Sequence, residues 1–351
     1  MMGHFDRLVQ DLPALGSFPR AALADGPTAI EPMQRLGALV GVNLLVKRDD
    51  TLPLAMGGNK VRQLEFYLGE ALRAGADTVL ITGAVQSNFV RLCAAGCRKL
   101  GLRPVVQLEQ RVPKQDVAYN TSGNVLLLKM LGAEITSFPE GENEVAADAN
   151  LDRIAERLRA EGAVPYVVHL GIDHPPIGGL GYVAAAIETL QQSKAEGLSL
   201  DHVVVASGSA LTHAGFLVGA RLMGWDVPVH GICVRRAAGP QRDRVLRRAR
   251  ELAAMLGAPQ AIRPEDIRVD DTCLAPGYGQ MNDRVAEALE LSATQEALLT
   301  DPVYSGRALA GALHLARSGA FDAGDSVLFL HTGGVPAIFG NQSDLEGAPP
   351  A

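Results

Sequence analysis

The chain alternates between short, continuously apolar runs and longer stretches in which apolar residues recur every three or four positions. Seven apolar runs have the length and the β-branched content of buried strands: residues 43–47, 78–82, 104–108, 166–170, 202–206, 229–234 and 327–331. Stretches with the 3.6-residue period of helices lie between them: residues 59–73, 87–100, 123–131, 144–159, 178–192 and 211–223. Apolar strands that alternate with helices predict an α/β fold, with parallel sheets covered by helices on both faces.

The length of the chain indicates more than one compact unit. A chain of 351 residues is too long for one ordinary hydrophobic core, so we expect two domains or one large, divided domain. Hydrophobic residues make up 47% of the chain and charged residues 20%, which are the proportions of a globular protein. The stretch 162–181, rich in glycine and proline, is the predicted crossing between domains, and the polar stretch 263–271 is expected at the surface.

Charge and cysteine content narrow the classes of partner. The net charge of −7, without a block of basic residues, argues against nucleic acid or an anionic membrane surface. No run of 18 apolar residues predicts a membrane span, and the N-terminal residues lack the pattern of a secretory signal. Among the four cysteines only Cys93 and Cys97 are close, and we interpret them as buried small residues rather than metal ligands. We therefore expect no metal site and a reducing, cytoplasmic location.

A lysine follows two glycines at a predicted helix start. Gly57 and Gly58 permit a close approach of the backbone to a ligand, and Asn59 can cap the helix that follows. Lys60 then lies in the first helical turn, where the helix dipole disfavours a cation. This position lowers the pKa of the amine and favours a nucleophile. The alternative is an ordinary surface lysine after a turn.

Two further turns join a strand to a helix and carry small or polar residues. In the turn at residues 86–89, Ser87 or Asn88 can cap the helix, and backbone N–H groups there can bind a carboxylate. In the turn at residues 207–212, small residues expose N–H donors and two hydroxyls join them, which suits a phosphate. The second turn lacks both the P-loop lysine and the dinucleotide fingerprint, which argues against an ATPase or an NAD enzyme. A plain turn is the alternative at both places.

Two tyrosines and the last predicted strand add candidates for the same site. Tyr278 and Tyr304 each lie beside glycines, and residues 331–334 end the last strand with two glycines. Ligands of parallel sheets bind at the carboxyl ends of the strands, which is where such residues meet. Packed core tyrosines and a plain terminating turn are the alternatives.

In this order, these segments resemble the D-cysteine desulfhydrase and 1-aminocyclopropane-1-carboxylate (ACC) deaminase family of enzymes that use pyridoxal 5'-phosphate, in the fold of tryptophan synthase β-subunits (fold type II). The resemblance covers residues 18–339, and the matching segments are residues 47–50, 57–62, 86–88, 207–209, 212–215, 303–306 and 331–334. It implies two domains with the cofactor in the cleft between them. The larger domain would comprise residues 1–55 and 171–345, and the smaller, inserted domain residues 56–170.

The resemblance implies four catalytic residues. Lys60 would hold the cofactor as a Schiff base and, once released, act as general base toward the α-proton. Ser87 would contact the substrate carboxylate. Tyr278 and Tyr304 would face the substrate and assist the departure of its β-substituent.

It also implies how the cofactor and the substrate are held. Asn88 would contact the ring hydroxyl of the cofactor, and Ser305 would lie at its pyridine nitrogen. Gln86 and Phe89 would adjoin the substrate together with Ser87 and Asn88. The phosphate would occupy the cup formed by Ser207, Gly208, Ser209, Ala210, Leu211 and Thr212.

The residue after the second tyrosine differs between ACC deaminases and desulfhydrases. ACC deaminases have glutamate there, whereas the hydroxyl of Ser305 resembles the threonine of desulfhydrases and makes a weaker electron sink. We therefore expect a β-lyase that converts a small amino acid to pyruvate and ammonia, with D-cysteine as the nominal substrate. The resemblance also implies a homodimer. The alternatives are an L-cysteate sulfo-lyase that releases sulfite, an ACC deaminase, a non-catalytic PLP-binding protein and an α/β binding protein without PLP.

Three departures from the family pattern bear on the substrate. Phe89 stands where desulfhydrases usually have histidine, and Leu211 stands where the phosphate cup usually has glycine. The segment 170–176 differs from the usual run of small residues. It contains His174, which we expect in a surface loop, although a place in the pocket would add a polar donor.

Overall fold

Within residues 3–346, the part of the chain that the computed structural model describes, ten strands form two sheets. The strands are β1 Ile30–Pro32, β2 Asn43–Lys47, β3 Thr78–Ala84, β4 Arg103–Glu109, β5 Glu134–Phe138, β6 Pro165–Val168, β7 His202–Ser207, β8 Val229–Cys233, β9 Arg268–Asp270 and β10 Ser326–Leu330. The helices are α1 His4–Asp11, α2 Gln34–Val40, α3 Lys60–Arg73, α4 Asn88–Lys99, α5 Val117–Thr121, α6 Asn124–Met130, α7 Glu144–Ala160, α8 Leu180–Glu196, α9 Leu211–Leu222, α10 Ala238–Met255, α11 Asp283–Glu296, α12 Ser305–Arg317, α13 Pro336–Gly340 and α14 Gln342–Glu346.

The two sheets divide the chain into a continuous and a discontinuous part. The smaller sheet has the order β5-β4-β3-β6 and is parallel throughout. The larger has the order β1-β2-β10-β7-β8-β9, and only β1 runs antiparallel to its neighbour. Because β2 pairs with β10, the larger sheet joins segments from both ends of the chain, and the smaller sheet is inserted between them. The predicted α/β fold is confirmed.

Helices cover both faces of each sheet. On β7, Val203 packs toward α8, α9 and α10, whereas its neighbour Val204 packs toward α2, α11 and α12. On β3, Val79 packs toward α3 and α4, and Leu80 packs toward α7 on the opposite face. Successive strand residues point to opposite faces, so a sheet buried on both sides requires the continuously apolar strands seen in the sequence.

All seven predicted strands and all six predicted helices are present, and three polar strands were missed. β1, β5 and β9 lie at sheet edges, where side chains stay half-exposed and the apolar signal is weak. The stretch 263–271 is only partly at the surface, because Asp266 and Ile267 are buried and β9 lies within it. The strands of the smaller sheet fall inside residues 56–170, while the domain boundaries themselves stay predictions. Among the described residues, we find no helix with the length and apolarity needed to cross a bilayer.

A buried group of charges holds α3 in place. Arg62 donates to both oxygens of Asp49 at 2.9 and 3.0 Å, and to both oxygens of Glu188 on α8 at 2.8 and 3.0 Å. Lys47, at the end of β2, also donates to Glu188. All four side chains are at most 9% exposed, so their charges depend on one another for compensation. Since Arg62 follows Lys60 by two residues, this group positions the start of α3.

Candidate active site

A cleft with about 1060 Å³ of free space, part of it open to solvent, lies where the carboxyl ends of strands from both sheets meet. Its walls include the end of β3, Glu109 at the end of β4 and Ala206 near the end of β7. Val234, directly after β8, and the turn after β10 complete this side. The two sheets therefore present their strand ends to one shared cavity, which is where parallel sheets bind ligands.

Lys60 lies in this cleft as the first residue of α3. Its Nζ is 4.9 Å from the ring centre of Phe89 and 3.4 Å from Oε1 of Gln63, and no carboxylate among the described residues pairs with it. Burial lowers the pKa of the Lys60 amine to about 8. An uncompensated lysine of this kind is unfavourable as a cation and is suited to nucleophilic or basic chemistry.

The two glycines before Lys60 are required by the backbone. Gly57 and Gly58 have φ values of 63° and 119°, and a Cβ on Gly57 would lie 1.9 Å from the carbonyl oxygen of Asp50. Asn59 is at the N-cap of α3, but it does not cap the helix with its side chain as predicted. Its Nδ2 instead donates to Oγ1 of Thr212 at 2.9 Å, which joins the start of α3 to the start of α9.

The turn at residues 86–89 has the predicted capping function. Oγ of Ser87 accepts a hydrogen bond from the backbone N–H of Val90 and caps α4. Oδ1 of Asn88 accepts from Asn124 at 2.9 Å, which leaves the amide N–H groups of Asn88 to donate elsewhere. Ser87, Asn88 and Phe89 all line the cleft.

Gln86 does not line the main cleft. Its Nε2 donates to the carbonyls of Tyr119 and Ser122, and its Oε1 accepts from the backbone of Asn124. Its amide group is thus used to anchor α5 and α6, and the structure places it behind the wall on which a substrate would lie.

The turn before α9 forms a cup at a helix N-terminus. Gly208, Ser209, Ala210 and Thr212 line the cleft, and Ala210 has a φ of 79° at the N-cap. Oγ1 of Thr212 accepts hydrogen bonds from Asn59 and from Gln63, so its own proton is available to a further acceptor. N–H groups at the start of α9 and this hydroxyl suit an anionic group.

Two residues assigned to the cup from the sequence do not face the cleft. Oγ of Ser207 donates to Nδ1 of His213 and accepts from Gln241, both behind the strand. Leu211 packs into the core beside α3 and α4. Their side chains support the cup from outside, because strand alternation and the turn of α9 direct them away from it.

Tyr278 and Tyr304 meet across the cleft, with their hydroxyl oxygens 2.7 Å apart. Burial, together with the neighbouring Tyr278, holds the pKa of Tyr304 well above its usual value. Tyr304 therefore stays protonated at neutral pH. The pair can pass a proton to a group bound in the cleft.

Ser305 follows Tyr304 but is fully buried and does not line the cleft. Its Oγ lies 2.6 Å from Oδ1 of Asp301 and 3.0 Å from the carbonyl oxygen of Gly333. His331 holds the same turn, since its Nδ1 accepts from the backbone of Gly333. The role of Ser305 toward a cofactor stays a prediction.

Several charged residues of the cleft were missed from the sequence: Glu109, Arg111, Glu144, Asp148, Arg235 and Arg244. Glu109 and Arg111 follow the apolar run of β4, so the strand-end rule could have found them. The others lie on α7 or around the start of α10, and their spacing carries no signal of a shared site. Arg235 and Arg244 both pair with Glu144, which brings these two regions together at the rim.

The chemistry of this site fits pyridoxal 5'-phosphate. It offers a lysine amine of lowered pKa, a helix N-terminus with an available hydroxyl, and amide donors of Asn88 for an oxygen on the ring. These are the groups that would hold the aldehyde, the phosphate and the ring hydroxyl of that cofactor.

Comparisons with known proteins agree with this assignment. A family model described as pyridoxal-phosphate dependent enzyme matches residues 21–333. The D-cysteine desulfhydrases of Salmonella choleraesuis (strain SC-B67) and Salmonella typhi are each 42% identical over 325 residues, covering 93% of this chain and 97% of theirs. The solved structure of an ACC deaminase homologue aligns with a TM-score of 0.84 at 34% identity, over 96% of this chain and 98% of that one. O-ureido-L-serine synthase shares the fold, with a TM-score of 0.65 at 18% identity over 95% of this chain and 96% of its own.

The chain belongs to the family of pyridoxal-phosphate-dependent enzymes, in the group that includes D-cysteine desulfhydrases and ACC deaminase homologues. Its cofactor is therefore pyridoxal 5'-phosphate, as predicted.

The lowered pKa of Lys60 predicts how attachment of the cofactor depends on pH. Only the neutral amine attacks the cofactor aldehyde, so the rate at which the apoprotein binds it covalently should rise with pH and be half-maximal at about pH 8. Stopped-flow absorbance on both sides of this pH measures the rate. Half-maximal attachment at about pH 10 or above, where exposed lysines titrate, would contradict the prediction.

Proposed function

We propose that this protein is a D-cysteine desulfhydrase, which converts D-cysteine and water to pyruvate, ammonia and hydrogen sulfide. The observation that carries the proposal is the arrangement in the cleft, where Lys60 shares one cavity with Ser87 and the hydroxyl pair of Tyr278 and Tyr304. The residues that we propose as base, carboxylate site and proton donor thus line one cavity. The D-cysteine desulfhydrases that it resembles over 93% of its length support the choice of substrate.

The residues of the cleft divide the reaction among them. Ser87 accepts a hydrogen bond from Val90, so its own O–H can donate to the substrate carboxylate, beside the N–H groups that open α4. The free amine of Lys60 removes the α-proton. When bound, the cofactor supplies an electron sink for the charge left at the α-carbon. The bond between Cβ and sulfur then breaks, the electron pair leaves with the sulfur, and Tyr304 and Tyr278 supply the proton that it takes up.

The identity of residue 305 supports elimination over the ring opening of ACC. A buried serine hydroxyl cannot provide the negative charge that a glutamate would provide beside a pyridine nitrogen. The weaker sink that results suffices for a substrate with a good leaving group at Cβ. Ser305 lies directly after Tyr304 at the start of α12, and its contact with the pyridine nitrogen is part of the proposal.

A panel of substrates tests the proposal. The purified protein, loaded with the cofactor, is mixed separately with D-cysteine, L-cysteine, L-cysteate and ACC, and keto-acid release is measured with Lys60→Ala as the blank. Pyruvate and sulfide from D-cysteine support the proposal. Pyruvate and sulfite from L-cysteate alone would replace the substrate, and 2-oxobutyrate from ACC would contradict the argument from Ser305.

Ser87→Ala should separate substrate binding from helix capping. Loss of the cap should destabilise the protein by about 1 kcal/mol. Loss of the hydroxyl in the cleft should also raise KM for the amino acid about tenfold, because a hydrogen bond to a charged group contributes about 1.5 kcal/mol or more. Asn143→Ala is the matched control, since Asn143 caps α7 and does not line the cleft. Equal KM values in the two variants would contradict a role for Ser87 in substrate binding.

We also propose that the protein acts in the cytoplasm as a homodimer, as the family resemblance implies. The four cysteines support the location, because all are free and buried and none forms a disulfide. Light scattering of the purified holoenzyme tests the dimer, and a mass of 37.0 kDa would contradict it.

A further inference from the structure

A group of three side chains at the rim of the cleft has the donor set of a metal site. Asp148 on α7, His169 directly after β6 and His174 in the following loop place one ligand atom each within 4.8 Å of one another. We propose that Asp148, His169 and His174 bind one divalent transition-metal ion, with Zn²⁺ best matched to two imidazoles and a carboxylate. The proposal does not depend on the identity of the substrate.

The distances within the group leave space for an ion. Nδ1 of His169 is 3.8 Å from Oδ1 of Asp148, and Nε2 of His174 is 3.9 Å from Oδ2 of the same carboxylate. Both separations are too long for hydrogen bonds. They are close to the spacing of about 3.4 Å between ligand atoms that lie about 2.1 Å from a tetrahedral Zn²⁺.

His169 has an unused ring nitrogen that faces this space. Its Nδ1 is buried and has no hydrogen-bond partner among the described residues. On the other side of the ring, Nε2 lies 3.4 Å from the carboxylate of Asp152. A proton on Nε2 is favoured by that carboxylate, which leaves the Nδ1 lone pair directed toward Asp148. A cation can bridge two acceptors that face each other in this way, and a carboxylate on the far nitrogen is the usual support of a metal-bound histidine.

The loop that carries His174 is held in position without the ion. Arg248 on α10 donates to the carbonyls of Gly171 and His174 at 2.6 and 2.7 Å. Gly171 lets the carboxylate of Asp148 approach, because a Cβ there would lie 2.5 Å from Oδ2. The rings of His169 and His174 stack at 3.8 Å with an interplanar angle of 6°, so their planes are nearly parallel. Because an imidazole binds a metal in the plane of its ring, the half-exposed ring of His174 has to turn about its Cβ–Cγ bond to bind the same ion as His169.

The position of the three side chains would place the ion beside the active site. Asp148 and Gly171 line the cleft, so an ion bound here lies at its wall. Three protein ligands leave the fourth tetrahedral position open, and a thiolate or sulfide is a strong ligand of Zn²⁺ at such a position. The segment 170–176, which departs from the family pattern, supplies His174.

Calorimetric titration of the holoenzyme with ZnCl₂, in a buffer that does not chelate metals, tests the proposal. We expect one ion per chain, and an affinity at least about tenfold weaker in both His169→Ala and His174→Ala. His314→Ala is the matched control and should bind as the unmodified protein does, since His314 lies on α12 and is not part of the group. No binding at one ion per chain, or an affinity unchanged in both variants, would overturn the proposal.

Thermal unfolding tests whether misfolding, rather than loss of a ligand, explains weaker Zn²⁺ binding by the variants. Zn²⁺ that binds the native state raises the thermal midpoint, so saturating ZnCl₂ should stabilise the unmodified protein and His314→Ala. It should not stabilise His174→Ala, a loop variant at a side chain that is 39% exposed. MgCl₂ should have no effect on any of them, because Mg²⁺ prefers oxygen ligands. Equal stabilisation of His174→Ala by ZnCl₂ would place the ion elsewhere and contradict the assignment.

Discussion

Lys60→Ala is expected to reduce the rate of elimination at saturating substrate by at least about 10³-fold, because the variant lacks both the covalent attachment of the cofactor and the base for the α-proton. The cup before α9 and Asn88 do not depend on this lysine, so the variant should still bind pyridoxal 5'-phosphate, without a covalent bond. Pyruvate release measures the rate, and mass spectrometry after borohydride reduction measures covalent attachment.

The control for this experiment is Lys129→Ala, which removes an exposed lysine from α6. Lys129→Ala should release pyruvate at the rate of the unmodified protein and should bind the cofactor covalently as that protein does. If Lys60→Ala kept a tenth or more of the rate, another residue would have to be the base, and the central assignment of the cleft would be wrong.

Arg62→Ala is expected to destabilise the protein by about 3–5 kcal/mol, because it removes the ion pair of the buried Asp49 and leaves Glu188 with Lys47 and His4 alone. Arg73→Ala is the matched control on the same helix. Its side chain is 67% exposed and pairs with Glu70, so its removal should cost less than about 1 kcal/mol. Urea denaturation followed by circular dichroism measures both, and similar midpoints for the two variants would contradict the role given to Arg62.

The pKa of Glu188 gives this prediction a pH dependence. Burial opposes ionisation of Glu188, but the charges of Arg62 and Lys47 and a hydrogen bond from His4 outweigh it and hold the pKa well below 4.5. The stabilisation is therefore present above the ordinary pKa and is lost as pH falls through the lower, folded-state value. The difference in stability between the unmodified protein and Arg62→Ala should narrow as pH falls below 4.5. A difference that grows with acidity would show that Glu188 is not the partner that matters.

For two local features, sequence patterns were sufficient to predict the structure. The run at residues 78–82 predicted a strand that is buried on both faces, and β3 has every residue buried. Gly57 and Gly58 were expected to adopt positive φ and to let the backbone approach a ligand; both have positive φ, and the close approach found at Gly57 is to the carbonyl oxygen of Asp50. Both predictions rest on local chemistry, since side-chain alternation and φ preferences operate within a few residues.

Other assignments required contacts between distant segments. Gln86, Ser207 and Leu211 belong to matching motifs or adjoin them, yet hydrogen bonds to Ser122 and Gln241 and packing against α3 and α4 direct them away from the cleft wall. The proposed metal site brings together Asp148, His169 and His174, and the spacing of these residues along the chain resembles no ligand motif.

The sequence by itself determined the alternation of strands and helices, the lysine at a helix start and the strand ends at which ligands bind. These features follow from periodicity and from backbone preferences, which each segment carries alone. Only the tertiary structure decided which of these strand ends share a cleft. The pairing of β2 with β10 brings together segments from opposite ends of the chain, and no local pattern carries the information for such a contact.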